Sequence, residues 1–198
     1  MKEELSKYYL SMKHTLKWPY TNTQKLDKNG VILYKVPYTQ NFDYYPVNIA
    51  LYALGNFEMF LDTKKESYRK KFLKQLDWLT SNITVKEDFG VWEHRFVLPY
   101  YKFDRIPWVH GMAQGVAISA LVRGYQLTGN KEYLKIAEKA YGAFERNIED
   151  GGIKYVDEKG NVWFEEYAIF PLPHILNGFI YALLGVYDLY STTKNSRA

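Results

Sequence analysis

From Pro46 onward the hydrophobic positions of the chain fall at helical intervals. Val47, Ile49, Ala50, Ala53, Leu54, Phe57 and Phe60 recur along one face, with Pro46 in the first turn, where its missing N–H costs nothing, so the pattern predicts a helix. A second helix is predicted over residues 64–82, with Tyr68, Phe72, Leu76 and Leu79 on one face and lysines opposite. The pair then recurs. Phe57, Phe60, Thr63, Tyr68, Leu76, Leu79, Asn82 and Ile83 match Val122, Tyr125, Thr128, Tyr133, Tyr141, Phe144, Asn147 and Ile148 at a constant offset of 65. A third start is read where Ala120, Leu121, Tyr125 and Leu127 are echoed by Ala182, Leu183, Tyr187 and Leu189 at an offset of 62. Hairpins repeated at this spacing leave room for an insert after each.

The inserts read as β-hairpins over residues 90–105 and 152–165, the second turning at Asp157-Glu158-Lys159-Gly160. Upstream, residues 1–43 read as an irregular or partly strand-forming arm, with a turn at Asp27-Lys28-Asn29-Gly30 before Val31-Ile32-Leu33-Tyr34. The expected fold class is all-α in the main: an α/α toroid of helical hairpins with inserted β-hairpins, whose loops gather at one end to form a site. The arm, residues 1–43, then precedes a partial toroid, residues 44–198. Ala198 falls where the second helix of the third repeat is due. We therefore expect an incomplete barrel, closed by a further C-terminal segment, by another chain, or by a second copy on the apolar face that an unfinished layer exposes.

Composition narrows the function classes. At 198 residues the chain holds one sizeable core, and 47% hydrophobic against 24% charged residues marks it as globular. Nineteen Tyr, 11 Phe and 5 Trp exceed what that core needs, and an excess of amphipathic rings suits a surface that touches carbohydrate. The net charge of +4 mildly favours a polyanionic ligand but lacks the concentrated basic stripe of a nucleic-acid binder. Without cysteine there are no disulfides, thiolate nucleophiles or cysteine metal sites. His14, His94, His110 and His174 show no metal-ligand spacing, so no metal is expected, and there is neither a Gly-rich phosphate loop nor a Gly-x-Ser-x-Gly elbow. Residues 1–20 mix lysines and glutamates with aromatics and carry no secretory apolar run, which places the chain as written in the cytoplasm. Residues 168–187 are long enough to span a bilayer, yet Pro171, Pro173, His174 and Asn177 interrupt them. A buried core helix is the expectation there.

Candidate chemistry concentrates in Trp163-Phe164-Glu165-Glu166-Tyr167. Indole and phenyl faces stack on pyranose rings, and a carboxylate beside a phenol can move a proton to or from carbon or oxygen. Three further places gather polar residues in apolar surroundings: His110 and Gln114 at the start of the third long helix, His174 and Asn177 at the start of the fifth, and Trp92-Glu93-His94-Arg95 in the first insert, where Arg95 could neutralise an acidic ligand. A buried hydrogen-bonded histidine, a tight crossing at Gly111 and Gly115, and solvated strand charge are the structural alternatives for these positions.

The run from Met112 to Arg123, then Trp163 to Tyr167, then Leu176-Asn177-Gly178-Phe179 through Leu184-Gly185-Val186-Tyr187-Asp188-Leu189 resembles the catalytic C-terminal domain of D-glucuronyl C5-epimerase, and Tyr45 through Tyr52 resembles the start of its first barrel helix. The resemblance covers most of residues 44–190 in the family's order. It implies an α/α toroid, needing no cofactor, that converts D-glucuronyl to L-iduronyl units in a heparosan or heparan-sulfate type polymer. It also implies that Glu166 and Tyr167 lie in the site, Tyr167 transferring a proton and Glu166 orienting it or the sugar. Trp163, His174, Asn177, Gln114, His110, Arg95 and Tyr45 are the candidate substrate-binding residues. Two departures stand out: the family's further proton-transfer tyrosines follow the fifth helix, in a segment this chain does not hold, and its large β-rich domain between the first two barrel helices is replaced by a short turn near Asp62-Thr63-Lys64. Two other readings remain open: a carbohydrate-binding or assembly fragment without catalysis, and a uronate lyase or hydrolase on the same toroid.

Overall fold

The structure is a computed structural model that describes residues 7–97 and 106–194. Its frame is three helices of equal length: α1 (Pro46–Thr63), α3 (Gly111–Thr128) and α5 (Leu176–Thr193), with α2 (Glu66–Ser81) and α4 (Lys131–Glu145) between them in sequence. Each of the three ends at a threonine and stops on a left-handed residue, Lys64 (φ 54°), Gly129 (φ 73°) or Lys194 (φ 57°), whose N–H closes the last turn. They therefore repeat at 65 residues throughout. The offset of 62 read from the echo of Ala120 at Ala182 is corrected by this register: it lies three residues away, close to one helical turn, and so matched the same face rather than the equivalent position.

The three helices stand side by side and run parallel. Their N-terminal ends meet, as Tyr45 and His110 do at 5.9 Å, and so do their C-terminal halves, where Arg123 bonds Asp188 at 2.5 Å. In α1 and α3 nearly every residue of the first three turns is buried, as expected of helices apolar on all sides. The amphipathic α2 and α4 pack outside them, burying Phe72, Leu76 and Leu79, and Tyr133, Ile136, Ala140 and Phe144. Gly115 and Gly185 allow α3 and α5 to touch backbone to backbone, since a Cβ on either would strike the other helix's main chain. This is the tight-crossing alternative for Gly115.

The arm shares this core through Tyr8, Met12, Val31 and Ile32. A 3-10 helix, Lys13–Tyr20, precedes the antiparallel strands β1 (Gln24–Leu26), β2 (Ile32–Lys35) and β3 (Phe42–Asp43). Their first turn forms as expected, with the Asp27 carboxylate accepting the N–H groups of Asn29 and Val31, and Gly30 at φ 84°. Gln75 of α2 pins the turn, accepting from Ile32 N and donating to Gly30 O.

The second insert is the expected hairpin, β8 (Lys154–Val156) with β9 (Val162–Phe164). The first differs: β5 (Gly90–Val91) pairs back with β4 (Thr84–Val85), whereas β6 (Glu93–His94) pairs forward with β7 (Trp108–Val109). Residues 98–105 of the expected hairpin lie outside the described residues. The expectation for residues 168–187 also needs correction. Helix begins at Leu176, after a loop containing Pro171 and Pro173, and only Gly178, Ala182, Gly185, Asp188 and Leu189 of α5 are buried. Leu176, Ile180, Leu183, Tyr187 and Tyr190 form an exposed apolar stripe, because no outer helix among the described residues covers that face. None of the described helices is long and apolar enough to cross a membrane.

Candidate active site

The N-terminal ends of α1, α3 and α5 meet the ends of the inserts, and there the polar side chains collect. Tyr45 and His110 are the residues immediately before α1 and α3, 65 apart, hence equivalent in the repeat. His110 forms a bridge with Tyr167, bringing the end of the second insert against α3. Gly111 makes this contact possible: its N–H donates to the carbonyls of Glu165 and Glu166, and a Cβ at 111 would collide with Glu165 O.

Tyr167 hydrogen-bonds to both Tyr45 and Glu166. Burial holds the Tyr45 phenol well above its ordinary value, with Tyr167 and Glu166 adding to the rise, so Tyr45 keeps its proton and donates to the Tyr167 oxygen. Burial also raises the Glu166 carboxyl, opposed by hydrogen bonds from Tyr167 and the Gly178 N–H. Glu166 therefore caps the start of α5, receiving Asn177 Nδ2 at 3.3 Å as well. His110 closes the ring. Its Nδ1 accepts the Ala113 N–H at 3.3 Å, so the proton sits on Nε2, 3.7 Å from Glu166 Oε1, and burial pushes its pKa down to about 3. The ring is neutral at physiological pH.

The Glu165 carboxylate, beyond the end of β9, takes different partners. It is fully buried, accepts the His174 backbone N–H at 3.1 Å, and lies 2.5 Å from His174 Nδ1, a separation that is attractive only with a proton between the two atoms. Burial raises Glu165 and His174 opposes the rise. Trp163 stacks on Phe179 at 4.4 Å and meets the His174 ring edge-on at 5.5 Å, and its cross-strand neighbour Tyr155 lies 5.5 Å from the same imidazole.

Of the candidates from the sequence, the structure thus brings Tyr45, His110, Glu166, Tyr167 and Asn177 into one cluster, and Trp163 and His174 into a second group joined to it through Glu165. Gln114 is not among them. Its amide is spent on backbone, accepting from Trp92 N and donating to Gly90 O and Ala140 O, which fastens the first insert to α3 and α4. Arg95 is also apart. Alternation along β6 puts His94 on one face and Glu93 and Arg95 on the other, where the exposed Arg95 pairs with the largely buried Glu93 at 3.2 Å beside a cleft of about 410 Å³ that includes Tyr44, Trp78 and Asn82. Sequence reasoning named Glu165 and His94 within its candidate stretches but singled out neither as a site residue. For His94, strand alternation was the available signal, since neighbours in an extended strand serve opposite faces. His94 is wholly buried, stacked on Trp108 at 4.1 Å and 5.5 Å from His110, and neither ring nitrogen has a well-aligned hydrogen-bond partner among the described residues. Burial, with His110 adding, keeps it well below the ordinary imidazole value. No group of three His, Asp or Glu side chains placed to hold a metal ion occurs among the described residues.

Known proteins resemble this chain in sequence and in fold. The chain is 37% identical over 135 residues to a D-glucuronyl C5-epimerase of Caenorhabditis elegans, a match over 64% of this chain and 20% of that protein. It is 34% identical over 130 residues to an uncharacterised protein of Methanocaldococcus jannaschii, over 64% of this chain and 42% of the other. It therefore spans a fifth and about two fifths of these relatives. Among solved structures, the GH76 α-mannanase of Bacteroides thetaiotaomicron superposes with a TM-score of 0.62 at 15% identity, covering 92% of this chain and 48% of that one. A family 76 glycoside hydrolase from a bovine strain of the same species superposes at 0.53 and 16%, over 76% and 31%. At such identity these two speak for the fold alone, an α/α toroid. The family model for the D-glucuronyl C5-epimerase C-terminus matches residues 85–198, which include α3, the second insert, Glu165 to Tyr167 and α5, and the chain belongs to that family.

Proposed function

We propose that this site epimerises D-glucuronyl to L-iduronyl units, at C5, within a heparosan-like polysaccharide. The observation that carries the reading is the hydrogen-bonded series Tyr45, Tyr167, Glu166, which ends on a buried carboxylate with a raised affinity for protons. A phenol is a poor base near neutral pH. Tyr167 is helped on both sides: Glu166 can accept its proton, and Tyr45 donates to the oxygen on which negative charge then develops. Inversion is complete when a proton reaches C5 on the face opposite to the one from which Tyr167 acts. Asn177, the Gly178 N–H and the neutral His110 hold Glu166 in place through the exchange. The C5–H electron pair passes into the uronate carboxyl, and Arg95, apart from the cluster on a cleft of its own, can hold another anionic unit of the polymer.

The test is incubation of the purified chain with unsulfated glucuronyl polymer in heavy water, reading deuterium at C5 and iduronyl content by NMR. Both are expected. Polymer binding without C5 exchange would instead support a binding module, and unsaturated or shortened products a lyase or hydrolase.

A further inference from the structure

The arm holds a cleft of about 480 Å³ next to the cluster at Tyr167. Its walls are Thr23, ahead of β1, Tyr34 and Lys35 of β2, and Val36, Tyr38 and Gln40 beyond that strand. Sites for small ligands commonly have volumes in this range. Two of the walls are shared with the candidate active site. The Tyr34 ring lies 5.1 Å from that of Tyr45, and Val36 is buried in one apolar group with Trp108 and Tyr167.

The lining suits an acidic sugar. Among the described residues that form it, Lys35 carries the one charge, and an ammonium with no carboxylate in the same wall attracts an anion. The Gln40 amide can donate to and accept from sugar hydroxyls, and the Tyr38 ring, 77% exposed, offers an apolar face with a polar edge. Tyr38 sits at φ 61°, a left-handed conformation that an aromatic residue adopts at a cost, and such strain concentrates at functional sites. The loop around it is fixed by its own hydrogen bonds. The Val36 N–H donates to Asn41 O at 2.9 Å, and Thr39 Oγ1 donates to Val36 O at 2.9 Å while accepting the Asn41 N–H at 3.0 Å. A wall formed in advance loses little entropy when a ligand binds.

We propose that this cleft is a second uronate subsite, in which Lys35 pairs with the carboxylate of one glucuronyl unit and Tyr38 lies against its ring, while another unit of the same polymer occupies the cluster at Tyr167. The nature of the polymer rests on the epimerase reading. The subsite itself belongs to the arm, outside residues 85–198, which the family model matches. A fragment with a single glucuronyl unit cannot fill both places. The arm therefore governs affinity for the polymer and leaves the chemical step to the cluster.

The experiment is titration calorimetry at low salt with unsulfated glucuronyl polymer and with the same polymer after reduction of its carboxyls to alcohols, on wild type, Lys35→Gln, Tyr38→Asn and Lys131→Gln. Asparagine tolerates the left-handed backbone at position 38, and Lys131, exposed on α4, controls for net charge. Lys35→Gln should bind the acidic polymer about two- to fivefold more weakly and the reduced polymer as wild type does. Tyr38→Asn should lose about two- to tenfold on both. Lys131→Gln should match wild type, and C5 exchange at saturation should be unchanged in all three. Wild-type affinity in Lys35→Gln, or the same loss in Lys131→Gln, overturns the subsite whether or not C5 exchanges. Binding that depends on Lys35 in a chain that never exchanges C5 overturns the epimerase reading and leaves the subsite standing. A wild type that binds neither polymer overturns both.

Discussion

Positions 58, 123 and 188 are equivalent in the 65-residue repeat, and they carry Glu58, Arg123 and Asp188, all buried. Every one of these charges is answered. Glu58 accepts from Ser11, the Met12 N–H and Lys13; Arg123 reaches Ser119 O at 2.9 Å and Asp188 at 2.5 Å; Tyr9 adds a hydrogen bond to Asp188 at 2.6 Å, and the rings of Tyr8 and Tyr9 lie against the guanidinium. Thirteen residues earlier, at the helix N-termini, the equivalent positions are Tyr45 and His110, and the polar layer there is of another kind. His94 is buried without a well-aligned partner, His110 is held neutral, and Glu165 and Glu166 have carboxyls pushed up by burial. One layer ties the arm to the helices and the helices to one another. The other disfavours the charged forms of its groups, which costs stability and is characteristic of sites that move protons.

The lower layer should give the largest change in stability. Asp188→Leu strands a buried guanidinium and is expected to cost about 3–5 kcal/mol in urea unfolding, whereas adding Arg123→Met should recover most of that loss. A single variant as stable as wild type would mean that Arg123 reaches water, and the contrast between layers would fail. The upper layer should respond in activity instead. Tyr167→Phe and Glu166→Gln are each expected to lower conversion of glucuronyl to iduronyl units by about 10²- to 10⁴-fold while stability moves by about 1 kcal/mol. Equal losses of folding and conversion would make Glu166 a helix cap and nothing more.

A pH scan separates the layers further. His110 titrates near 3 in the fold against an ordinary value of 6.5, so between those values the unfolded chain binds a proton that the native chain refuses. Stability from this group is full above about pH 7 and falls as pH drops through 6.5, by roughly 2 kcal/mol at pH 5, with His94 acting in the same direction. The raised Glu165 and Glu166 work oppositely, favouring the fold most at low pH and losing that contribution as pH rises through their shifted values. Urea midpoints unchanged between pH 7.5 and 5.0 would show the histidines to be hydrated. Smallest of all, Arg95→Ala should shift stability by less than about 0.5 kcal/mol, because its ion pair with Glu93 is largely exposed on the arginine side. Its expected effect is a few-fold weaker half-saturation by long polymer with exchange at saturation unchanged, read from initial rates.

Much of this was legible in the chain. The spacing of Val47, Ala50, Leu54 and Phe57, repeated 65 residues on, predicted α1 to α4 because helical burial is a local, periodic property. Asp157 to Gly160 and Asp27 to Gly30 announced their turns for the same reason: an aspartate that accepts nearby N–H groups and a glycine free to take positive φ act within four residues. In the candidate site, Glu166 and Tyr167 stood out as a carboxylate beside a phenol, and they meet His110 and Asn177, which were marked independently as polar residues opening helices. Gln114 carried the same mark but serves the backbone of Trp92 and Gly90. Nothing in its sequence neighbourhood distinguishes a glutamine that binds a ligand from one that binds a strand.

By itself, then, the amino-acid order determined the helical hairpins, their period, the second insert and the pairing of Glu166 with Tyr167, since each depends on residues close together in the chain. Only the tertiary structure decided the register of α5, the coupling of Arg123 to Asp188 across 65 residues, the burial of His94, and the separate partners of Glu165 and Glu166. Those depend on which surfaces dock. A periodic pattern says that a face is buried, while packing alone selects the partner it is buried against.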